Sequence, residues 1–215
     1  ILLGTGSAAE PVSVLAAQIN RELDSRIKAL EKAATLSVPR MPEGAAAMQS
    51  FLEQRPILQT LFNDGTLVIG RDGVVIADYP PWSKRTGNNL MDRDYVVAAL
   101  KNGKPAISRP ILARNGAAPV FALAVPMRDA QGTVIGALAG ITNLSQPSFL
   151  DEIIDHRYGR TGGYLLVDAR NRQVITGSDR KRALEIFPAP GVDPMIDRFM
   201  AGYEGSTVFT NPHRL

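Results

Sequence analysis

The run Gly65-Thr-Leu-Val-Ile-Gly70, followed by Arg71-Asp-Gly73 and Val74-Val-Ile-Ala77, sets two short apolar segments on either side of a turn. An Asp-Gly pair supplies the backbone torsions of a tight turn, so the stretch reads as an antiparallel hairpin. Working outward, three more strands are expected at Ala106–Ala113, Pro119–Met127 and Thr133–Thr142, the last two joined by Arg128-Asp-Ala-Gln-Gly132. Five strands joined mostly by hairpins, with helices before and between them, make an antiparallel α+β layer and not an alternating βαβ pattern.

Upstream, Val12, Leu15, Ile19, Leu23, Ile27, Leu30 and Ala34 recur at gaps of three and four and predict a helix over Val12–Ser37, ended by Pro39. At 1.5 Å per residue it is about 39 Å long, more than one small sheet needs. Two readings stay open: a core-packing helix, or a stalk or dimer helix spanning two modules. Glu43–Phe62 reads as a second helical stretch, interrupted or kinked at Pro56. Tyr79–Leu90 is loop-like. Asp92–Lys101 reads as a short helix with Asp92 available as its cap, stopped by Asn102-Gly103. After a connecting helix at Ser148–His156 the theme restarts: strands at Gly163–Asp168 and Gln173–Thr176 flank a turn at Ala169–Arg172. Residues 67–77 and 165–175 share the order apolar strand, charged turn, apolar strand, which suggests a second copy of one fold that the chain leaves unfinished.

The 215 residues are 45% apolar and 21% charged, the make-up of an ordinary folded protein. With no cysteine, disulfides, thiolate metal sites and a cysteine nucleophile are excluded, and two histidines, His156 and His213, cannot build a multi-histidine metal centre. Nothing approaches the roughly 20 apolar residues of a membrane span. Ile1-Leu2-Leu3 lacks the basic start of a signal peptide, and both ends look cut, so the chain reads as a fragment of a longer protein. The net charge of +3 is mild for a nucleic-acid binder, and none is expected as a partner. The charge is uneven: Lys84–Arg114 carries +5 through Lys84, Arg85, Arg93, Lys101, Lys104, Arg109 and Arg114, and the rest of the chain carries −2. Guanidinium groups grip carboxylates bidentately, so this segment is either a small-anion site or a solvated basic face.

The runs Asn89-Leu-Met-Asp-Arg-Asp-Tyr-Val-Val-Ala-Ala-Leu100, Lys104-Pro-Ala-Ile-Ser-Arg-Pro110 and Ala124-Val-Pro-Met-Arg-Asp-Ala-Gln-Gly-Thr-Val-Ile-Gly-Ala-Leu-Ala-Gly140 resemble the double Cache family, PAS-like extracytoplasmic sensor domains of bacterial receptors. His156-Arg-Tyr-Gly-Arg-Thr-Gly-Gly-Tyr-Leu-Leu-Val167 and 190–205 resemble the start of that family's membrane-proximal half. The resemblance implies a long stalk helix over 1–40, a membrane-distal module over 41–146, and a connecting helix with a partial membrane-proximal module over 147–215. It implies a periplasmic part of an inner-membrane protein that binds a small metabolite and signals across the membrane. The alternative is a ligand-free module of the same fold that dimerises, through the N-terminal helix, or senses a protein partner.

In the resembling receptors, the arginine and the aromatic two residues later line the distal pocket; here these are Arg93 and Tyr95. The competing reading pairs Arg93 with an acid such as Asp78 and makes Tyr95 ordinary core. Tyr79 and Trp82 form an aromatic loop that either closes over a ligand or plugs the sheet's edge. Arg109 is a second anion partner, and Asp78 and Asp94 are candidates for a ligand amine or for local capping. Amino-acid-binding members carry an aspartate near the end of the fifth strand; here that place falls to Ile141, which favours a carboxylate or another small metabolite. No catalytic residue, metal ligand or cofactor is expected. Gly159, Gly162 and Gly163 are not followed by Lys-Ser/Thr, and Ser145 and Ser178 lie outside any Gly-x-Ser-x-Gly elbow.

Overall fold

The computed structural model describes residues 2–4, 9–113, 118–154 and 163–203. Arg114, His156, Gly159, Gly162, His213 and residues 207–210 therefore lie outside the described residues. The elements run β1 (Leu2–Gly4), α1 (Ala9–Ser37), a 3-10 turn (Val38–Glu43), α2 (Ala45–Glu53), α3 (Pro56–Leu61), β2 (Thr66–Gly70), β3 (Val75–Tyr79), a 3-10 turn (Pro81–Ser83) and α4 (Asp94–Lys101). They continue with β4 (Ala106–Ile107), β5 (Ile111–Leu112), β6 (Pro119–Arg128), β7 (Val134–Asn143), α5 (Phe149–Ile154), β8 (Tyr164–Asp168), β9 (Gln173–Gly177), a 3-10 turn (Arg180–Arg182) and α6 (Pro194–Met200). This is an α+β chain with a long N-terminal helix and antiparallel sheet.

Two compact units form. One is Asn20–Phe149; the other comprises the flanking segments, so that α1 contributes to both. The first unit holds a six-stranded sheet in the order β3-β2-β7-β6-β4, with β5 also on β6. Because neighbouring antiparallel residues share a face, the register sorts the side chains. Leu67, Asp78, Ala139, Ala124 and Ala106 lie in one row. With Ile69, Val75, Ala122, Ala137 and Ile141 this row makes the face on which Tyr95, Val96 and Ala99 of α4 pack. The opposite face carries Val68, Leu123, Val125, Leu138 and Gly140. There Phe62 fills the space over Gly140, where a Cβ would stand 2.4 Å from its ring.

Several expectations need correction. The Ala106–Ala113 strand is two short strands, because Pro110 has no N–H for the ladder and the Ser108 hydroxyl accepts from the Ala122 N–H at 2.9 Å. Of the two readings of Glu43–Phe62, interruption holds: Pro56 sits in the first turn of a separate helix, where its missing N–H does no harm. Asp92 is not the cap of α4; Arg93 occupies that position, and Asp94 Oδ1 instead accepts from the Tyr95 N–H at 2.8 Å. The edge strand β3 is protected by α2, whose Gln49 amide accepts the Asp78 N–H at 3.1 Å and donates to the Asp78 carbonyl at 3.0 Å.

The second unit contains the sheet β1-β8-β9. Asp193 caps α6 by accepting from the Met195 and Ile196 N–H groups. In the hairpin β2–β3 the register slips between Val68 and Ile69; in β8–β9 it slips between Leu166 and Val167. When residues 67–77 are laid on 165–175 these two irregularities fall at the same position.

Candidate functional site

Beyond Tyr79 the chain leaves β3, and Asp78 governs its return. The aspartate is 1% exposed, and its Oδ2 accepts from the Ser83 hydroxyl at 2.6 Å and the Arg85 N–H at 2.7 Å. The loop then runs back along β3, with Gly87 N–H donating to the Val75 carbonyl and Leu90 N–H to the Gly73 carbonyl, and so delivers α4 to the alanine-rich face. Asp78 Oδ1 is buried without a donor.

Arg85 reaches the other way, to the turn before β2. Its Nη2 donates to the Asp64 carbonyl at 2.7 Å and stands 3.1 Å from the Asp64 carboxylate, while Nη1 is buried without an acceptor. Asp64 is raised above the usual carboxylate range, first by burial, with Arg85 opposing and Asp78 adding to the shift. Tyr95, on α4, is 5% exposed and packs in the apolar cluster of the sheet face. Burial pushes its phenol up to about 12, against the lowering fields of Arg93 and Arg85. Arg93 itself stands 3.5 Å from Asp92, and not on Asp78.

Of the residues singled out from sequence, Arg93 and Tyr95 stand at the start of α4, and the charges of Arg93 and Arg85 both bear on the Tyr95 phenol. Asp94 is exposed but acts on the Tyr95 phenol through its charge. Tyr79 pairs in register with Thr66, on the face opposite Asp78. Trp82 is 76% exposed, its ring 6.4 Å from that of Tyr79, and Arg109 is exposed. Arg85 was named from sequence only as one of the basic residues of Lys84–Arg114, and Asp64 was not singled out. Their pairing joins a loop to a turn some twenty residues earlier, which sequence spacing alone does not reveal. The local charge is mixed: the exposed Lys84, Lys101, Lys104 and Arg109 supply most of the segment's excess, whereas the half-buried Arg85 faces the half-buried Asp64 near the buried Asp78. Among the described residues no group of His, Asp or Glu could hold a metal ion.

A raised phenol has a definite consequence. The folded state holds the Tyr95 proton more tightly than the unfolded chain, so its contribution is complete below pH 10 and is lost as pH rises from 10 through about 12. Wild-type stability is expected to fall over that window in urea titrations, and Tyr95→Phe to flatten the fall. An equally steep fall in the variant would contradict the assignment.

The first unit is thus an antiparallel sheet with helices on one face and, on the other, a partly buried polar cluster beside a loop and a short helix. The chain belongs to the Cache domain family, which matches over residues 6–211. No curated protein matches the sequence. Among solved structures, an extracellular ligand binding receptor from Desulfohalobium retbaense DSM5692 is 15% identical with a TM-score of 0.71, over 93% of this chain and 35% of that one. The chain thus spans about a third of that receptor's length. The ligand-binding domain of the Pseudomonas aeruginosa PAO1 amino acid chemoreceptor PctC, in complex with GABA, is 20% identical with a TM-score of 0.63, over 86% of this chain and 83% of that one. That of the Pseudomonas fluorescens chemoreceptor CtaA, in complex with L-serine, is 21% identical with a TM-score of 0.63, over 81% of this chain and 72% of that one. At these identities the likeness shows the fold. Among the described residues no helix is long and apolar enough to cross a membrane.

Proposed function

We propose that this chain is the extracytoplasmic ligand-sensing part of a bacterial signal-transduction receptor. It binds a small carboxylate-bearing metabolite on the α4-facing side of the six-stranded sheet, within a membrane-distal module of residues 41–146. The observation that carries this reading is the buried and unpartnered Arg85 Nη1, in the loop that Asp78 turns back along β3 and that leads to Arg93 and Tyr95 at the start of α4. A carboxylate accepts bidentately from such a group. The solved relatives in complex with GABA and L-serine support a small organic ligand on this fold. The residues proposed to line the site are Arg93 and Tyr95 first, with Arg85 and Asp78; Tyr79, Trp82, Arg109 and Asp94 stand at its margins.

In this reading residues 147–215 belong to a second, membrane-proximal module, supported by the matching hairpin irregularities at 68/69 and 166/167. Ligand preference for one arrangement of the first module shifts α1 and biases the output across the membrane. The test is thermal stability against a panel of organic acids and amino acids. A compound at 100 times its dissociation constant adds about 2.7 kcal/mol to the wild type, and Arg93→Ala is expected to lose that gain. A panel that leaves the wild type unmoved would sink the reading. The second reading, a dimerising or partner-sensing module, is favoured by the exposure of Trp82 at 76% and of Val14 and Leu36 on α1 at 59% and 51%. It predicts self-association that Leu36→Lys abolishes in sedimentation.

A further inference from the structure

We propose that Arg85 is an acid-operated clasp: it ties the 80–90 loop to the turn before β2 while Asp64 is ionised, and moves to Asp78 when Asp64 takes up a proton. This goes beyond the ligand-sensing reading and needs no ligand.

One guanidinium here stands between two carboxylates. Arg85 Nη2 donates to the Asp64 carbonyl at 2.7 Å and stands 3.1 Å from its carboxylate. Asp78 holds the loop by a different route, its Oδ2 accepting from the Ser83 hydroxyl and the Arg85 backbone N–H. That arrangement leaves Asp78 Oδ1 buried with no donor and Arg85 Nη1 buried with no acceptor. The Arg85 backbone already sits on the Asp78 carboxylate, so rotation of the arginine side chain brings the two unmatched atoms together without moving a strand. A buried donor or acceptor without a partner is costly, and the second pairing satisfies both. What draws Arg85 away from it is the charge on Asp64.

Protonation removes that charge and leaves Asp78 as the anion facing the guanidinium. The charged groups that face Asp64 are Arg85 from the loop and Asp78 from β3; β7 offers only backbone, the Ile141 carbonyl accepting the Asp64 N–H at 3.1 Å. Burial outweighs the opposing field of Arg85, so Asp64 binds its proton above the ordinary carboxylate range. Tyr95, which also feels Arg85, stays protonated throughout. The folded chain holds the Asp64 proton more tightly than the unfolded one. Its contribution to stability is therefore complete below the unfolded value and lost as pH rises through the folded one, so acid opens the clasp without unfolding the domain. The turn cannot follow the guanidinium, because the Gly65 carbonyl also accepts the Ile141 N–H at 2.8 Å. The loop moves instead, and Trp82, the single tryptophan of the chain, rides on it.

The experiment titrates the isotopically labelled domain from about pH 7 to about pH 4. It follows the Asp64 carboxyl carbon and the Arg85 Nε–H by NMR, and the fluorescence anisotropy of Trp82. In the wild type the three signals are expected to share one midpoint, above the ordinary aspartate value, with the anisotropy falling as the clasp opens. Asp64→Asn cannot ionise, so its Arg85 and Trp82 signals are expected at their acid values already at neutral pH, with no transition. Arg85→Gln is expected to lose the Trp82 transition while Asp64 titrates at a still higher pH, its opposing cation gone. Asp64 titrating in the wild type with Arg85 and Trp82 unmoved would overturn the inference, and so would a Trp82 transition that survives in Asp64→Asn. The wild-type titration decides by itself if a variant fails to fold, which circular dichroism reveals.

Discussion

Replacing Arg26 by methionine is expected to lower the stability of the chain by about 3 kcal/mol, although the substitution keeps an unbranched, flexible side chain. Arg26 lies in the middle of α1 and is only 6% exposed. Its Nε donates to the Leu61 carbonyl at the end of α3 at 3.3 Å, and its Nη1 donates to the Glu22 carbonyl at 3.1 Å and pairs with the Glu22 carboxylate. The guanidinium carbon stands 3.6 Å from the centre of the Phe149 ring, which meets Phe121 of β6 edge to face at 6.3 Å. One side chain thus ties α1 to α3, to the start of α5 and, through Phe149, to the sheet. Leaving the Leu61 carbonyl without a donor costs about 1–3 kcal/mol, and the lost ring contact about 1–2 kcal/mol. The Glu22 pair is partly exposed and adds only a few tenths. Arg26→Lys keeps the charge but not the reach of the planar group, and it should fall between the two. Urea denaturation checks the order. A loss below about 1 kcal/mol for the methionine variant would mean that solvent takes over the guanidinium's bonds.

The second large effect is expected at Gly65, where alanine should cost at least about 3 kcal/mol and lower the melting temperature by roughly 6–12 °C. The residue sits at φ +92°, a torsion that a side chain disfavours. A Cβ there would stand 1.9 Å from the Tyr79 carbonyl oxygen and 2.7 Å from Pro80 Cδ, and the nearer clash is with backbone, which cannot swing aside. Gly65 is also wedged by its own hydrogen bonds, donating to the Phe62 carbonyl at 2.9 Å and accepting from the Ile141 N–H at 2.8 Å. The Tyr79 backbone must therefore move, and Asp78 with it. Gly65→Ala should weaken ligand binding beyond what its lost stability accounts for, measured at a temperature where the variant is fully folded. Unchanged melting would show that the β3 end yields more freely than its pairing with Thr66 suggests.

These two residues also mark how far the sequence could be read. The periodicity of α1 was plain from apolar residues at gaps of three and four, yet Arg26 occupies the same buried stripe as Ile19, Leu30 and Ala34, and an apolar count passes over it. The hairpins were legible because turn chemistry is local: Asp72-Gly73 and Asp129 through Gly132 close their turns with their own side chains and backbone. The break at Ser108–Pro110 was less legible, since it depends on a hydroxyl replacing a ladder bond across to Ala122.

By itself, then, the sequence determined the antiparallel α+β class, the order of strands and helices, the two related hairpins, and the absence of thiol chemistry. Each of these follows from residue type and short-range spacing. The tertiary structure alone decided which charges meet. Asp64, Asp78 and Arg85 come from a turn, a strand end and a loop. They converge because the β2–β3 register turns Asp78 toward α4 and because the loop folds back on its carboxylate. A segment of +5 on paper thereby divides into exposed basic residues and a partly buried Arg85 paired with an acid from outside the segment. Register and loop closure are long-range properties, and a single residue's slip would send Asp78 to the other face.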